Sequence, residues 1–383
     1  MAKIKFLDLF CGCGGLSYGF IENKNFILKL SADNDESSIQ SYKKHIKQKG
    51  LNENLALNLD LTNKKDLVNF KNLKSDLIIG GPPCQAYSIA GRIRDKDGMK
   101  NDYRNYLFES FLKIISSTKS KYFIMENVPG ILSAKPGGIL ITDRIKEKVK
   151  KIDFYIPDNL KNCLYNVDEY GVAQKRKRII IFGISKKINK YKEISRKFYE
   201  SLDSLKTKNK ITVEQAIGDL AKLNPLSAAK QILGKKYSHG PISENNGDHV
   251  PRFHNKRDIE IFKILAQDIE NKKFKFTKIE NLKKLYKKMV NKSSSVHKYY
   301  VLRKNEQSNL IPAHLYKDGL RHIHYDSSQA RTITVREAAR LQSFPDSFKF
   351  SNSLTNSYKM IGNAVPPLFS TFICKAFLMS VKR

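Results

Sequence analysis

The chain has 383 residues and carries 70 lysines and arginines against 37 aspartates and glutamates, a formal net charge of +33. This length allows two or three domains with an ample apolar core. The charge fits a polyanionic partner such as nucleic acid, although most of it is lysine, which a low-GC genome also enriches. The charge alone therefore does not locate a binding surface.

The cysteine and apolar patterns exclude two other classes of protein. Five cysteines, two of them within one glycine turn, do not form the spacing of a disulfide framework. No apolar stretch approaches membrane-spanning length, and the N-terminus leads directly into a predicted strand. We therefore expect a protein of a reducing, cytoplasmic compartment with no membrane partner.

The first predicted strand covers residues 4–10, and a glycine-rich turn, Cys11 to Leu16, follows it at once. Helix-compatible sequence begins at Ser17. Strand, glycine turn and helix is the order in which a Rossmann-like sheet brings backbone close to a nucleotide cofactor. The G-x-G-G spacing does not favour a dinucleotide.

Two further predicted strands end in acids. Residues 26–32 lead into Asp33, about where such folds place the carboxylate that binds ribose hydroxyls. Residues 55–59 lead into Asp60 and Leu61. Together with the glycine turn, these strand ends predict an adenosine site.

A short buried strand is predicted at residues 76–79, and Gly80-Gly81-Pro82-Pro83-Cys84 follows it. The two prolines fix φ and remove two backbone donors, so the turn is rigid and presents Cys84 reproducibly. A deprotonated cysteine is a strong nucleophile. Most free cysteines are small buried hydrophobes instead, and this segment alone leaves both interpretations open.

Two polar segments flank the next strands. Glu126 and Asn127 follow a predicted strand at residues 121–125, where the carboxyl group suits a general acid or, more commonly, a helix cap or an ion pair. Arg176 and Arg178 alternate at the start of a strand near residues 179–183, so they share one face, as a substrate clamp requires. The alternative is a solvated run of charges.

Seven motifs, in order along nearly the whole chain, resemble those of the cytosine-C5 DNA methyltransferases of prokaryotic restriction–modification systems. They are Phe10, Gly12, Gly14 and Gly15; Pro83, Cys84 and Gln85; Asp102, Arg104, Asn105, Leu107, Phe108 and Glu109; Glu126, Asn127 and Val128; Gln174, Arg176 and Arg178; Arg336 to Pro345; and Gly362 to Pro367.

The resemblance implies a catalytic site and its chemistry. The Cys84 thiolate would add to cytosine C6 and make C5 nucleophilic. Glu126 would donate to the ring N3, which requires a raised pKa. Arg178 and Arg176 would bind the O2 edge or stabilise the thiolate. Asn127 would hold the cysteine loop, to which Pro83 belongs.

The resemblance also implies S-adenosylmethionine as cofactor, S-adenosylhomocysteine as product, and no metal. The implied cofactor-binding residues are Phe10, Gly12, Gly14, Gly15, Asp33, Asp60, Leu61, Leu107, Asn363 and Ala364. Two positions depart from the family pattern. Ala173 stands where proline is usual, and Asp33 where glutamate is usual; neither removes a catalytic group.

The implied fold is α/β: a Rossmann-like methyltransferase sheet with helices on both faces, plus a smaller target-recognition domain. We assign residues 1–183, completed by 355–383, to the catalytic domain and 184–354, with the Arg336–Pro345 motif, to target recognition. The middle segment has no cysteine, so His322 and His324 are interpreted as polar surface or DNA contacts and not as zinc ligands.

The expected partner is double-stranded DNA, with a cognate endonuclease acting separately. The expected enzyme is a monomer in the cytoplasm, associated with the nucleoid. Two alternatives remain. One is a tRNA cytosine-C5 methyltransferase, whose usual Cys-Phe-Thr tripeptide is absent between Arg178 and Arg336. The other is a non-catalytic DNA-binding relative, which would be expected to lose Cys84, Glu126 or the glycine turn.

Overall fold

The structure is a computed structural model that describes residues 3–83, 107–232, 234–241, 247–294, 299–317, 319–350 and 353–381. The chain forms two compact units. The first combines Met1–Gly171, Arg176–Asn209 and Ala364–Arg383, and the second combines Val172–Lys175 and Lys210–Asn363. The assignment of the middle of the chain to target recognition stays a prediction.

Eight strands of the described residues form one sheet in the first unit. They are β1 (Ile4–Leu9), β2 (Phe26–Asp33), β3 (Ala56–Asn58), β4 (Leu77–Gly80), β5 (Tyr122–Asn127), β6 (Phe154–Tyr155), β7 (Leu164–Asn166) and β8 (Lys177–Ser185). Their order is β3-β2-β1-β4-β5-β8-β6, with β7 paired to β8. Strands β9 (Asn224–Ile232) and β10 (Lys235–Gly240) form a separate antiparallel pair in the second unit.

The described α-helices alternate with the strands of the first unit and predominate in the second. They are α1 (Tyr18–Ile21), α2 (Glu36–Gln48), α3 (Leu107–Thr118), α4 (Ile141–Lys151), α5 (Tyr191–Ser204), α6 (Val213–Ile217), α7 (Lys256–Glu270), α8 (Ile279–Val290), α9 (Val335–Leu341), α10 (Leu354–Asn363) and α11 (Pro367–Val381).

The sheet is parallel from β3 to β5, and β8 runs antiparallel to β5. The parallel strands are apolar runs because both of their faces are covered. Leu7 and Phe123 face a core shared with α3 and α4. Phe6 and Tyr122 face the other side, where their rings contact Phe20 and Phe377 respectively. The predicted α/β fold with helices on both faces is confirmed.

The strand order places several predicted site segments at one edge of the sheet. Strand β1 lies between β2 and β4, so the chain order reverses there, and open α/β sheets bind ligands at such a point. The carboxyl ends of β1, β2, β4 and β5 meet at this edge. Because β8 is antiparallel, it contributes its first residues, near Arg178, to the same edge.

The expectation about apolar stretches is wrong in one respect. Residues 354–381 have the length and composition of a helix that could cross a membrane. The structure divides this stretch into α10 and α11, and 61% of its apolar window is buried. Phe377 of α11 packs against Phe26, Tyr122 and Phe182 of the sheet, which is the environment of a core helix.

A buried ion pair lies in the core of the second unit. The Arg331 guanidinium donates two hydrogen bonds of 2.7 Å to the Glu337 carboxylate, and both side chains are almost fully buried. Thr334 and Glu337 form a capping box that begins α9. This arrangement fixes the start of the Arg336–Pro345 motif through paired and hydrogen-bonded charges.

The interpretation of His322 and His324 as surface residues is wrong, since both are buried. Burial lowers the pKa of each to about 4, so both rings are neutral at pH 7. His324 lies 3.4 Å from Glu337 and so belongs to the surroundings of the buried ion pair. Sequence spacing carried no sign of this, because burial of a polar side chain depends on partners far along the chain.

Candidate active site at the carboxyl edge of the sheet

The glycine turn after β1 adopts a left-handed backbone at Gly12 and Gly14, with φ of 52° and 93°. A Cβ at Gly14 would lie 2.7 Å from the Tyr42 ring, so no side chain fits there. A Cβ at Gly12 would meet no atom within 4 Å. The turn is thus packed on one side and open at Gly12, as a backbone that approaches a ligand closely must be.

Asp33 joins the end of β2 to this turn. Its carboxylate accepts hydrogen bonds from the backbone N–H of Gly12 and of Asp35, each 2.9 Å long. Asp35 in turn caps α2 through the backbone N–H of Ser38. The structure therefore brings together the glycine turn and the acid that the sequence predicted for the ribose.

Sequence reasoning missed one buried group, Asp8, which is connected to the glycine turn through hydrogen bonds. Asp8 of β1 is fully buried and accepts a 3.4 Å hydrogen bond from the Tyr42 hydroxyl. The Tyr42 and Ser17 hydroxyls are 2.8 Å apart, and Ser17 donates to the carbonyl of Gly14. Burial raises the pKa of Asp8 to about 7. An acid between Leu7 and Leu9 of a largely apolar strand was the signal that could have identified it.

Asp60 and Leu61 follow β3 at the same edge. The backbone N–H of Leu59 donates to the carbonyl of Asp33, which ties the two strand ends together. Asp60 is exposed, and its Oδ1 accepts from the backbone N–H and the hydroxyl of Thr62. The side chain of Leu61 is buried beside it.

Glu126 and Arg178 form a buried ion pair across the β5–β8 junction. Glu126 Oε1 lies 2.6 Å from Arg178 Nε, and each residue is 8% exposed. Burial raises the pKa of Glu126, while Arg178 and Arg176 act against that rise. A Cβ built on Gly81 would lie 3.0 Å from Glu126 Oε2, so the carboxyl group lies directly against the turn after β4.

Asn127 connects the same strand to the proline turn. Its side-chain amide donates a 3.3 Å hydrogen bond to the carbonyl of Pro82, and its Oδ1 accepts from the backbone N–H of Val128. The implied role of Asn127 in holding the cysteine loop stays a prediction, because Cys84 itself lies outside the described residues, which end at Pro83 before the gap.

Arg176, just before β8, and Arg178, at its start, do not form a solvated run. Arg176 and Arg178 are buried, whereas Lys175 and Lys177 between and beside them are exposed. Arg176 Nη2 donates a 3.0 Å hydrogen bond to the carbonyl of Ala364. Alternation along an extended segment thus turns both guanidinium groups inward, as the clamp interpretation requires.

The remaining predicted cofactor residues are distributed between the units. Phe10 directly precedes the glycine turn, Gly15 belongs to it, and Leu107 begins α3 as a buried side chain. Asn363 is exposed at the end of α10 in the second unit, whereas Ala364 begins the last segment of the first. Within the described ranges, no three His, Cys, Asp or Glu side chains are grouped as metal ligands would be.

Comparison with known proteins identifies the family of the chain. The profile of the family described as C-5 cytosine-specific DNA methylase matches residues 4–378. A type II methyltransferase of Bacillus paralicheniformis, M.Bpa9945I, is 35% identical over 79% of this chain and 69% of its own length. M1.HphI of Haemophilus parahaemolyticus, also a type II methyltransferase, is 28% identical over 98% and 87%.

One solved structure supports the fold. It is described as a DNA modification methyltransferase encoded within a prophage of Escherichia coli. It matches with a TM-score of 0.65 at 24% identity, covering 98% of each chain.

Replacing Arg178 by methionine should leave the Glu126 carboxylate buried without its cation, which costs about 3–5 kcal/mol. Because burial already raises the pKa of Glu126, losing Arg178 raises it further. The folded state then binds more protons than the unfolded state above the ordinary pKa of glutamate. Stability of Arg178→Met should therefore fall as pH rises through that window more steeply than for the wild type.

The measurement is urea unfolding of both proteins at pH 5 and pH 8. Arg196→Met is the control, since Arg196 is exposed and lies 3.8 Å from Glu200. Equal pH dependence in the two variants would show that Arg178 does not govern the protonation of Glu126.

Proposed function

This chain belongs to the C-5 cytosine-specific DNA methylase family, and we propose that it methylates C5 of a flipped cytosine within a specific duplex DNA site. The methyl group would come from S-adenosylmethionine, and the enzyme would be the modification half of a restriction–modification system. The observation that carries the proposal is the buried Glu126–Arg178 pair, which lies against the turn leading to Cys84.

The substrate dictates the need for a nucleophile. Cytosine C5 is a poor nucleophile, and the base is stacked inside the duplex, so the base must first be rotated out. Addition of the Cys84 thiolate to C6 forms a C–S bond and moves electron density to C5. Cys84 follows Pro82 and Pro83, and the hydrogen bond from Asn127 to the Pro82 carbonyl supports a fixed start for its loop.

Glu126 supplies the proton that this addition requires. A carboxyl group with a raised pKa retains its proton more readily near neutrality and can transfer it to cytosine N3 as negative charge develops there. Arg178 fixes the orientation of the carboxyl group and, with Arg176, favours anionic charge at the edge of the base. Loss of the C5 proton to a base and expulsion of Cys84 then complete the reaction.

The glycine turn and the acids around it suit S-adenosylmethionine. The open side of Gly12 leaves room for close approach, and Asp33 presents a carboxylate beside it for ribose hydroxyls. Asp60, Leu61 and Leu107 would contact the adenine, and Phe10, Gly14, Gly15, Asn363 and Ala364 the rest of the molecule. When bound, S-adenosylmethionine supplies a methyl group on a positively charged sulfur.

We infer a monomeric cytoplasmic enzyme that acts at the nucleoid, with any cognate endonuclease separate.

The decisive experiment expresses the chain in a host without cytosine methylation and sequences its DNA after bisulfite treatment. We expect C5 methylation at one short recurrent sequence, and none with Cys84→Ala. Cys163→Ala is the matched control, because Cys163 is a buried cysteine whose sulfur contacts the Tyr199 hydroxyl, and it should retain activity. Methylation confined to RNA would favour the tRNA-methylating branch, and no methylation from soluble protein would refute the proposal.

Asp33→Ala should weaken binding of S-adenosylmethionine. Hydrogen bonds to a charged acceptor contribute about 1.5–3 kcal/mol each, so losing one raises Kd roughly tenfold to a hundredfold. Isothermal calorimetry measures this, with Asp203→Ala as the control, since Asp203 is an exposed residue of α5 paired with Lys206. Thermal unfolding of both variants separates a binding defect from a disordered turn. An unchanged Kd would remove Asp33 from the cofactor site.

Covalency separates this mechanism from direct methylation of a ring nitrogen or amine. With 5-fluorocytosine at the target, fluorine replaces the proton that must leave C5, so the enzyme should stay bonded to the DNA. The adduct should survive denaturing electrophoresis, require S-adenosylmethionine and vanish in Cys84→Ala. It should fall sharply in Glu126→Gln, which hydrogen-bonds N3 but donates no full proton. Active enzyme that forms no adduct would point to amine chemistry.

A further inference from the structure

A second feature of the chain is a strongly basic helical hairpin in the second unit. Nine lysines and a single acid, Glu280, lie between residues 272 and 292. All nine lysines are exposed, and we call them the lysine face: Lys272, Lys273, Lys275, Lys278, Lys283, Lys284, Lys287, Lys288 and Lys292. The face occupies the linker between α7 and α8, helix α8 itself and the residue beyond its cap.

The lysines that α8 contributes to the lysine face lie on one side of the helix. Lys283, Lys284, Lys287 and Lys288 recur at the spacing that places them on one side of a helix. Leu282 and Leu285 lie on the opposite side and are buried in a cluster with Phe262 of α7. The helix is therefore anchored through its apolar side, and its cationic side is held toward solvent.

The linker is fixed as well. Lys272 and Phe274 have φ of 55° and 51°, a backbone that side chains other than glycine seldom adopt. The buried carboxylate of Asp268 accepts hydrogen bonds from the backbone N–H of Lys275 and of Phe276, at 3.0 and 2.9 Å. These bonds hold the turn in a strained shape that presents its lysines beside those of α8.

The fold does not neutralise this charge. None of the ion pairs found within the described ranges includes a lysine of the face, whereas Lys206, Lys222 and Lys304, elsewhere in the chain, each pair with an acid. Lysines four residues apart on α8 repel each other. The helix dipole favours cations in the last turn only, which accounts for Lys287 and Lys288 but not for the others.

We infer that the lysine face is a phosphate-binding surface for duplex DNA outside the recognised sequence. The inference rests on the proposed function and specifies which surface supplies sequence-independent affinity. A 12-residue helix is about 18 Å long. Duplex DNA carries one negative charge per about 1.7 Å of its axis, so roughly ten phosphate charges lie within that length. Binding releases counterions and is therefore steeply dependent on salt.

The test measures fluorescence anisotropy of the full chain with labelled 30-base-pair duplexes between 50 and 200 mM salt. One duplex contains the methylated sequence and the other does not. In the variant with glutamine at Lys283, Lys284, Lys287 and Lys288, the salt slope should shrink by about 0.9 for each lost phosphate contact. The Kd should rise by the same factor on both duplexes, because phosphate contacts carry no sequence information.

Two further proteins control for charge and folding. A control variant with Lys186→Gln, Lys187→Gln, Lys192→Gln and Lys197→Gln removes the same charge from exposed residues that follow the C-terminal end of β8. Its salt slope should be nearly the same as that of the wild type. Arginine at the four α8 positions keeps the charge and should restore binding. Circular dichroism verifies that all variants are folded.

The inference is overturned if the α8 variant keeps the wild-type slope, or if the control variant loses as much. It is also overturned if structured RNA of equal length binds through these lysines more tightly than duplex DNA. Bisulfite sequencing of the wild type reports the proposed function independently. If the wild type methylates DNA but the α8 variant keeps the wild-type salt slope, only the role of the lysine face is refuted. If the α8 variant has a reduced salt slope but the wild type methylates no DNA, only the proposed activity is refuted.

Discussion

The antiparallel pairing of β8 with β5 is the constraint on which the candidate site depends. In a fully parallel sheet, the first residues of β8 would lie at the opposite edge from Glu126. The reversal brings Arg178 within 2.6 Å of Glu126 Oε1 and buries both groups next to Gly81. A buried carboxyl group needs this cation because an uncompensated charge at that depth is costly. One strand direction thus sets the position of the acid and brings up the cation that opposes the rise in its pKa.

The proposed cofactor half of the edge depends on a different kind of support. The glycine turn has few side chains of its own, so hydrogen bonds with its neighbours fix its shape. Asp33 accepts from the Gly12 N–H, while Ser17 donates to the Gly14 carbonyl and contacts the Tyr42 hydroxyl. Asp8 completes that support as a fully buried carboxyl group whose pKa is raised to about 7. Both halves of the site therefore place a carboxyl group with a raised pKa inside the sheet, one beneath the proposed cofactor turn and one facing the proposed base.

Sequence reasoning predicted the elements whose pattern is local. The strand ending at Asp33 and the strand leading to Glu126 lie within a few residues of their predicted bounds. A turn inside a helical stretch is less visible in the sequence. Residues 256–290 contain two helices, α7 and α8, because Asp268 fixes a turn between them. Periodicity continues across such a turn and does not reveal it.

Burial of polar groups was beyond the reach of sequence reasoning for a related physical reason. Arg178 and the exposed Lys177 are adjacent cations, and only the strand geometry separates them. His322 and His324 resembled surface residues, yet both are buried, and His324 lies 3.4 Å from Glu337 of the Arg331–Glu337 pair. Burial of a polar group costs free energy unless a partner hydrogen-bonds or pairs with it, and the fold, not the local sequence, determines whether that partner is present.

The second unit shows how the same chain treats positive charge in two opposite ways. Arg331 is buried, bidentate and neutralised by Glu337, so its charge is used to fix the structure. The lysines of the lysine face are exposed, compact ammonium groups on flexible stems, and none of the ion pairs among the described residues includes one of them. Arginine suits a fixed planar contact, whereas lysine remains hydrated and adapts to a backbone of phosphates. A rigid interior and an adaptable cationic surface are the two properties that an enzyme needs if it reads one DNA site while searching many.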